Sequence, residues 1–376
     1  MNILQLLESS GIGGAEQVVV DLCGHLRTDG HQVSVVTLKS GWMTKKLSEI
    51  KVESMIIENR RSVDPRFFRE LVRIIRERRV DLIHSHEFLM NMYGTAASMV
   101  TRRPIVATVH GKGYYIDKWR RRAVYRLVAR RAFRTVAVSE DLKRHLVERI
   151  RLAPSDIAVI CNGVDLERFR TGDEEQSRRL RHEFGLSGIV VGAIGNLYPV
   201  KGHIHMIRAA RLILDQFDEA NFVVIGKETE YSGRLREEVE RLRLTDRFRF
   251  LGFRDDVPEI LHLIDIFVLP SNEETFSIVT TEALAASKPV VATRCGGPEG
   301  IITDGKNGFL VPPGNPEQLA EKVLELIRNP SLRRAFGEEG FRLVREKFTT
   351  QAMFCNYRRL YEDAIVQSSN GQEDRN

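Results

Sequence analysis

A chain of 376 residues is long enough for two domains, and 42% hydrophobic with 29% charged residues is the ordinary balance of a soluble globular protein. No apolar segment reaches the roughly eighteen residues of a membrane span, and the N-terminus lacks the basic region and long apolar run of a signal peptide. The formal charge of +6 is uneven: between Thr101 and Arg151, fifteen Lys or Arg stand against four Asp or Glu, which predicts an anionic partner or surface for the first half.

Short apolar, β-branched runs alternate with helical patterns along the whole chain. In the first half the predicted strands are 2–7, 32–37, 52–57, 82–84, 105–109, 135–138 and 157–160, with helices over 15–27, 65–78 and 119–133. Such alternation predicts a doubly wound α/β domain with a parallel sheet, whose functional loops leave the carboxyl ends of the strands. The first strand runs into Gly11-Ile12-Gly13-Gly14-Ala15-Glu16, a turn that lets a ligand approach backbone N–H groups. It is not a dinucleotide fingerprint, because Glu16 stands where the third glycine belongs. His84, His86 and His110 end strands. His110, followed by Gly111 and Gly113, is the sharper candidate, either as a ligand contact or as a residue that orients its loop. A metal site from His84, His86 and Glu87 is disfavoured, since strand alternation sends Glu87 to the other face. The four cysteines, Cys23, Cys161, Cys295 and Cys355, are far apart and form no Cys-x-x-Cys, so neither a zinc site nor a disulfide framework is expected, and a reducing cytoplasm is the simplest compartment.

The alternation breaks at 161–172, where Asn162-Gly163 signals a turn. It restarts with strands 188–194, 221–225, 249–252, 266–269, 289–293 and 308–311, separated by helices over 203–216, 233–242, 257–263, 275–286 and 316–328. Two amphipathic helices fill 331–366, and the last ten residues are polar enough to be disordered. In the second half the loop Gly195-Asn196-Leu197-Tyr198-Pro199-Val200-Lys201-Gly202 places a lysine ahead of a helix. This suits a phosphate, although the Walker spacing is absent. The loop 252–256, with Phe253, leaves another strand on the same rim and suits a flat base.

The stretch 271–298 is the most informative. Ser271 or Asn272 is expected to cap a helix over 275–286 that ends before Pro289. Glu274 then sits at the helix mouth, where free N–H groups favour an anionic ligand, and Glu282 lies two turns in among apolar neighbours. The structural alternative stays open on these residues alone: Ser271 and Glu274 also fit a capping box, and Glu282 a solvent-facing position.

Taken in order, GGAE, VHG, NGVD, GNLYPVKG, GF-x-DDV, PS-x-x-E, the Glu274/Glu282 pair and the GGP-E turn resemble the retaining glycosyltransferases with two Rossmann-like domains, family 4 of the GT-B type. The resemblance covers nearly the whole chain. It implies a metal-independent hexosyltransferase without cofactor, which moves a sugar from a nucleotide diphosphate donor to an acceptor with retention at the anomeric carbon. Carried over by position, Glu282 would hold the donor ribose, Glu274 the donor sugar, and the backbone of Thr275, Phe276 and Ser277 the sugar and phosphate. Lys201 would neutralise the departing diphosphate, His110 would sit near the reaction centre, and Gly13 and Gly14 would admit the diphosphate. One departure stands out: many members carry Arg where this chain has Asn196.

The domains expected are 1–165 for the acceptor and 166–349 for the donor. A C-terminal helix over about 350–366 would return to the first domain, and 367–376 would be a disordered tail. In this family the acceptor is often lipid-linked or a polysaccharide intermediate of envelope synthesis. The segment 118–131 sets basic residues among aromatic and aliphatic ones, as an anionic membrane surface requires. The location expected is therefore cytoplasmic, peripheral on the inner membrane. A nucleotide-sugar epimerase on the same fold and a non-catalytic sugar-nucleotide binder are competing readings. A nucleic-acid binder is disfavoured, for there is neither a recognition helix nor a stacking platform.

Overall fold

Buried β-branched runs alternate with one-face-apolar helices, and each run joins a parallel sheet covered by helices on both sides. The computed structural model describes residues 1–59, 63–112, 119–170 and 174–373. Two compact units result: Met1–Gly163 together with the chain from Thr350 onward, and Val164–Thr349.

The first unit carries seven strands: β1 (Asn2–Leu6), β2 (Gln32–Thr37), β3 (Glu53–Ile56), β4 (Leu82–His86), β5 (Ile105–Val109), β6 (Arg134–Ala137) and β7 (Ile157–Val159). Their order is β3-β2-β1-β4-β5-β6-β7, all parallel. Leu4, Leu6, Ile83 and Ile105 of the sheet meet Phe67, Leu71 and Ile75 of the helix Pro65–Glu77. That helix starts where it does because Asp64 accepts from the N–H groups of Arg66 and Phe67 and Pro65 sits in its first turn. Strand β4 runs on to His86, two residues past the predicted end, because its polar residues pair with β5 (His84 with Val106, His86 with Thr108) and are fully buried. The last helix, Thr350–Glu373, lies on the helix Gly14–Thr28 and reaches β4 and β5. It continues beyond residue 366, where polar composition predicted that order would end; residues 374–376 lie outside the described residues.

The second unit carries six strands: β8 (Ile189–Ile194), β9 (Ala220–Ile225), β10 (Phe248–Phe250), β11 (Ile266–Leu269), β12 (Val290–Thr293) and β13 (Gly308–Val311). The parallel order is β10-β9-β8-β11-β12-β13. Val191, Phe222, Val224, Ile266 and Val268 form its centre. In each unit the strand order reverses once, between β1 and β4 and between β8 and β11. Ligands of such sheets bind outside the carboxyl ends of the strands at that reversal.

One predicted element is corrected. The helix expected over 275–286 is Ile278–Ala285. Neither Ser271 nor Asn272 caps it. The residue before it is Ser277, in a left-handed conformation at φ 82°, and its hydroxyl bonds Thr280 Oγ1 at 2.8 Å. The residues ahead of it are drawn into an extended pairing instead: Glu274 N–H donates to Cys295 O at 3.0 Å and Gly297 N–H donates to Glu274 O at 2.9 Å. Glu282 is therefore about one turn into the helix, not two.

Candidate functional site

In the second unit, the loop after β8 and the loop after β11 meet at the reversal point. Pro199–Lys201 forms a single 3-10 turn ended by Gly202 at φ 65°. A side chain at Gly202 would collide with Pro270 O, so only glycine lets the two loops close on each other. Lys201 Nζ then reaches Glu274 Oε1 at 2.8 Å, and Ser271 Oγ donates to the same oxygen at 2.8 Å. The lysine side chain keeps 30% of its exposure and the glutamate 10%. Ser271 is thus an orienting partner of Glu274, a role its reading as a helix cap missed. Gly297 is forced as well, since a Cβ there would meet the backbone of Phe276. Beneath the lysine loop His203 is buried and donates from Nε2 to Gly195 O at 3.0 Å. Desolvation, with help from the Lys201 charge, pulls its pKa down to about 4, so it stays neutral.

The other residues fall around this pair. Asn196 accepts from Lys227 N–H at 3.0 Å and ties the loop after β8 to the loop after β9. Phe276 is buried with its ring edge toward Phe348 at 5.8 Å, so only its backbone is available to a ligand. Thr275 and Glu282 are half-buried. Phe253 follows Gly252, at φ 68°, and is 42% exposed. Its loop leaves β10, two strands from β8.

In the first unit the rim is acidic and polar. Glu16 folds its carboxylate back over the glycine turn, where a Cβ on Gly13 would strike it. Gly14 opens the helix Gly14–Thr28. Glu87, left-handed at φ 66°, follows β4, and His110 follows β5. The Glu87 carboxyl is pushed up to about 7 by burial first and then by the charges of Glu16 and Glu8; a hydrogen bond from the His110 backbone N–H acts in the opposite sense. His110 itself is pulled down to about 4 by desolvation and is neutral. Its Nε2 lies 2.9 Å from His86 Nδ1. The nitrogens of His84 and His86 are all engaged by Thr108, Tyr361, Gln5 and His110. Among the described residues no group of three or more His, Cys, Asp or Glu could hold a metal. Gly113 and Lys118 lie outside the described residues. Gln5, Tyr357 and Tyr361 were not singled out by the sequence, and Glu16 was noted only as the residue that breaks a dinucleotide fingerprint. The available signal was a lone polar residue inside an apolar strand, as in NILQL.

Family models match both halves: "Glycosyltransferase Family 4" over residues 12–168 and "Glycosyl transferases group 1" over residues 176–343. An uncharacterized glycosyltransferase of Methanocaldococcus jannaschii is 31% identical over 77% of each chain. The N-acetyl-alpha-D-glucosaminyl L-malate synthase of Bacillus anthracis is 25% identical over 96% of this chain and 97% of its own. Crystal structures of Anabaena HepE in complex with UDP and with UDP-glucose superpose with TM-scores of 0.87 and 0.86. Each is 25% identical and covers 96% of this chain and 100% or 99% of its own.

Proposed function

The chain belongs to the glycosyltransferases and has their GT-B fold, and from that premise we propose that it moves a sugar from a nucleotide diphosphate donor to a saccharide or lipid-linked acceptor with retention at the anomeric carbon. The observation that carries this reading is the Lys201–Glu274 pair at the strand reversal of the second unit, with Glu274 four residues ahead of the helix Ile278–Ala285 in the chain. A lysine held at 2.8 Å by a carboxylate is pre-aimed and half-exposed. When the bond from C1 to the β-phosphate oxygen breaks, charge gathers on the diphosphate. The ammonium and the helix N–H groups are placed to stabilise that charge as it develops. The acceptor oxygen bonds C1 on the face the diphosphate leaves, and the acceptor proton passes to the leaving phosphate oxygen. No side chain becomes covalently attached, and no metal is required.

The remaining roles follow from exposure and partners. Glu274 orients Lys201 and meets the donor sugar, and Glu282 holds the ribose hydroxyls. Thr275, Phe276 and Ser277 offer backbone groups, Phe253 borders the base, and Asn196 sets the distance between two loops. In the first unit Gly13 and Gly14 admit the diphosphate, and His110, neutral, contacts the sugar. The UDP and UDP-glucose complexes of Anabaena HepE support a uridine donor. A helix with six arginines and no acidic residue, Trp119–Arg131, supports acceptors carried at an anionic membrane surface on the cytoplasmic side. No helix among the described residues is long and apolar enough to cross a membrane.

The test is incubation with UDP-, GDP- and ADP-sugars, with slow donor hydrolysis and thermal shift as readouts. A UDP-sugar is expected to be hydrolysed to UDP and an α-configured sugar in the first product formed. Inversion of the released sugar would overturn the retaining mechanism, and no hydrolysis or shift with any donor would overturn the reading itself.

A further inference from the structure

Seven polar side chains form a closed network under the first-unit rim, and one of them, Gln5, joins its two arms. Gln5, His84, His86, Thr108, Tyr357 and Tyr361 are each fully buried. In the first arm Gln5 Oε1 lies 2.9 Å from His86 Nε2, and His86 Nδ1 lies 2.9 Å from His110 Nε2. In the second arm Gln5 Nε2 lies 3.5 Å from the Tyr361 hydroxyl, which lies 2.6 Å from His84 Nδ1. His84 Nε2 is then 2.7 Å from Thr108 Oγ1, which is 3.2 Å from the Tyr357 hydroxyl.

With the Gln5 amide oxygen toward His86 and its nitrogen toward Tyr361, the donors and acceptors of both arms follow. The amide oxygen of Gln5 only accepts, so His86 Nε2 carries the proton and His86 Nδ1 is a lone pair. His110 Nε2 must therefore carry a proton and donate to it. On the other side the Gln5 amide donates to Tyr361, Tyr361 to His84 Nδ1, His84 Nε2–H to Thr108, and the Thr108 hydroxyl to Tyr357. Turning the Gln5 amide over reverses each donor in both arms and would leave His110 Nε2 accepting. Burial lowers the pKa of all three histidines, so none carries the second proton that would break this either-or logic.

We propose that Gln5, His86 and Tyr361 are positioning residues that hold His110 in the Nε2–H tautomer, so that the C-terminal helix, through the Tyr361 hydroxyl, sets how the His110 ring meets the donor sugar. The inference rests on the reading of His110 as a sugar contact, yet the wiring itself can be tested without turnover. A neutral imidazole presents a donor at one nitrogen and an acceptor at the other. A sugar hydroxyl bound in one tautomer therefore loses its bond in the other.

The experiment uses the full chain with 15N-labelled histidine and long-range 1H–15N correlation spectra. His110 is identified by loss of its signal in His110→Ala. In the wild type His110 is expected to show the Nε2–H pattern alone. Gln5→Leu is expected to give a mixture of tautomers and to lower kcat about ten- to a hundredfold, with the donor KM within about twofold. Tyr361→Phe removes only an oxygen and is expected to fold and to shift the same signal in the same direction. Gln5→Glu still accepts from His86 Nε2–H and is expected to restore the single tautomer at pH 8. An unchanged His110 pattern in Tyr361→Phe, or in a folded Gln5→Leu, overturns the wiring. Unchanged turnover in His110→Ala sinks the sugar-contact reading and leaves the wiring intact.

Discussion

Lys201 shows how a single residue can matter much to turnover and little to folding. Its ion pair with Glu274 is short, but the ammonium keeps 30% of its exposure, so solvent screens the pair. Such pairs contribute about 0–1 kcal/mol to stability. The bound donor already carries a charge on each phosphate, and the same ammonium meets a further unit of charge as the diphosphate departs. Lys201→Ala is therefore expected to lower kcat by about 10²–10³-fold, while the melting temperature moves by no more than a degree or two. Steady-state kinetics and calorimetry on one preparation check both halves. A large fall in stability with unchanged kcat would make the lysine a structural group. Lys201 was legible in the sequence because glycines bound its loop ahead of a helix, and Glu274 because it stands ahead of an apolar helical run and is spaced from Glu282. Ser271 was legible only as a cap. Its true partner, Glu274 Oε1, depends on a pairing with Cys295 and Gly297 that local sequence does not encode.

At the scale of elements, the strands were readable from apolar runs alone. Buried parallel strands carry β-branched residues on both faces, and the predicted and observed limits differ by a residue or two. One of the larger differences has a physical cause. Where side chains of the sheet are polar, as in His84-Ser85-His86, burial is not visible in composition, and β4 was read as ending early. The helix Trp119–Arg131 presents the reverse problem. Tyr125, Val128 and Ala129 face inward, and the Tyr125 ring meets Phe88 at 5.4 Å. Trp119, Ala123 and Leu127 are spaced every fourth residue and are all exposed, with Trp119 at 69% and Leu127 at 49%. This second apolar stripe has arginines on both sides and faces outward. It is expected to insert at an anionic lipid surface, each nearby arginine adding about 1 kcal/mol. In sedimentation with phosphatidylglycerol vesicles at low salt, the protein is expected to pellet. The pair Trp119→Ser and Leu127→Ser is expected to weaken binding about tenfold or more, as loss of buried apolar area requires. Failure of the wild type to pellet would leave the stripe a solvated helix face.

At the scale of the whole molecule, both units hold buried or half-buried histidines with lowered pKa values, and these shape how stability responds to acid. In the first unit His84, His86 and His110 all have lowered pKa values, and in the second His203, His205 and His262 do, each with burial as the largest cause. On unfolding each returns to about 6.5 and takes a proton below that pH. The unfolded chain then binds more protons, so stability is fully present above pH 6.5 and is lost as pH falls toward 4. Glu87 works against this in the first unit alone. Its carboxyl, raised from 4.5 to about 7 by burial and by Glu16 and Glu8, keeps its proton in the folded state over that window. Its contribution is full below pH 4.5 and is lost as pH rises through 7. Calorimetry is expected to show melting temperatures for both units falling between pH 7 and pH 5, three depressed histidines outweighing one raised carboxyl in the first. Glu87→Gln mimics the protonated acid at every pH. It is expected to raise the first unit's melting temperature by about 2–4 °C at pH 8, to converge with the wild type near pH 4.5, and to leave the second unit unmoved. A stabilisation that persisted at pH 4.5 would mean that the gain came from packing rather than from the charge held between Glu16 and Glu8.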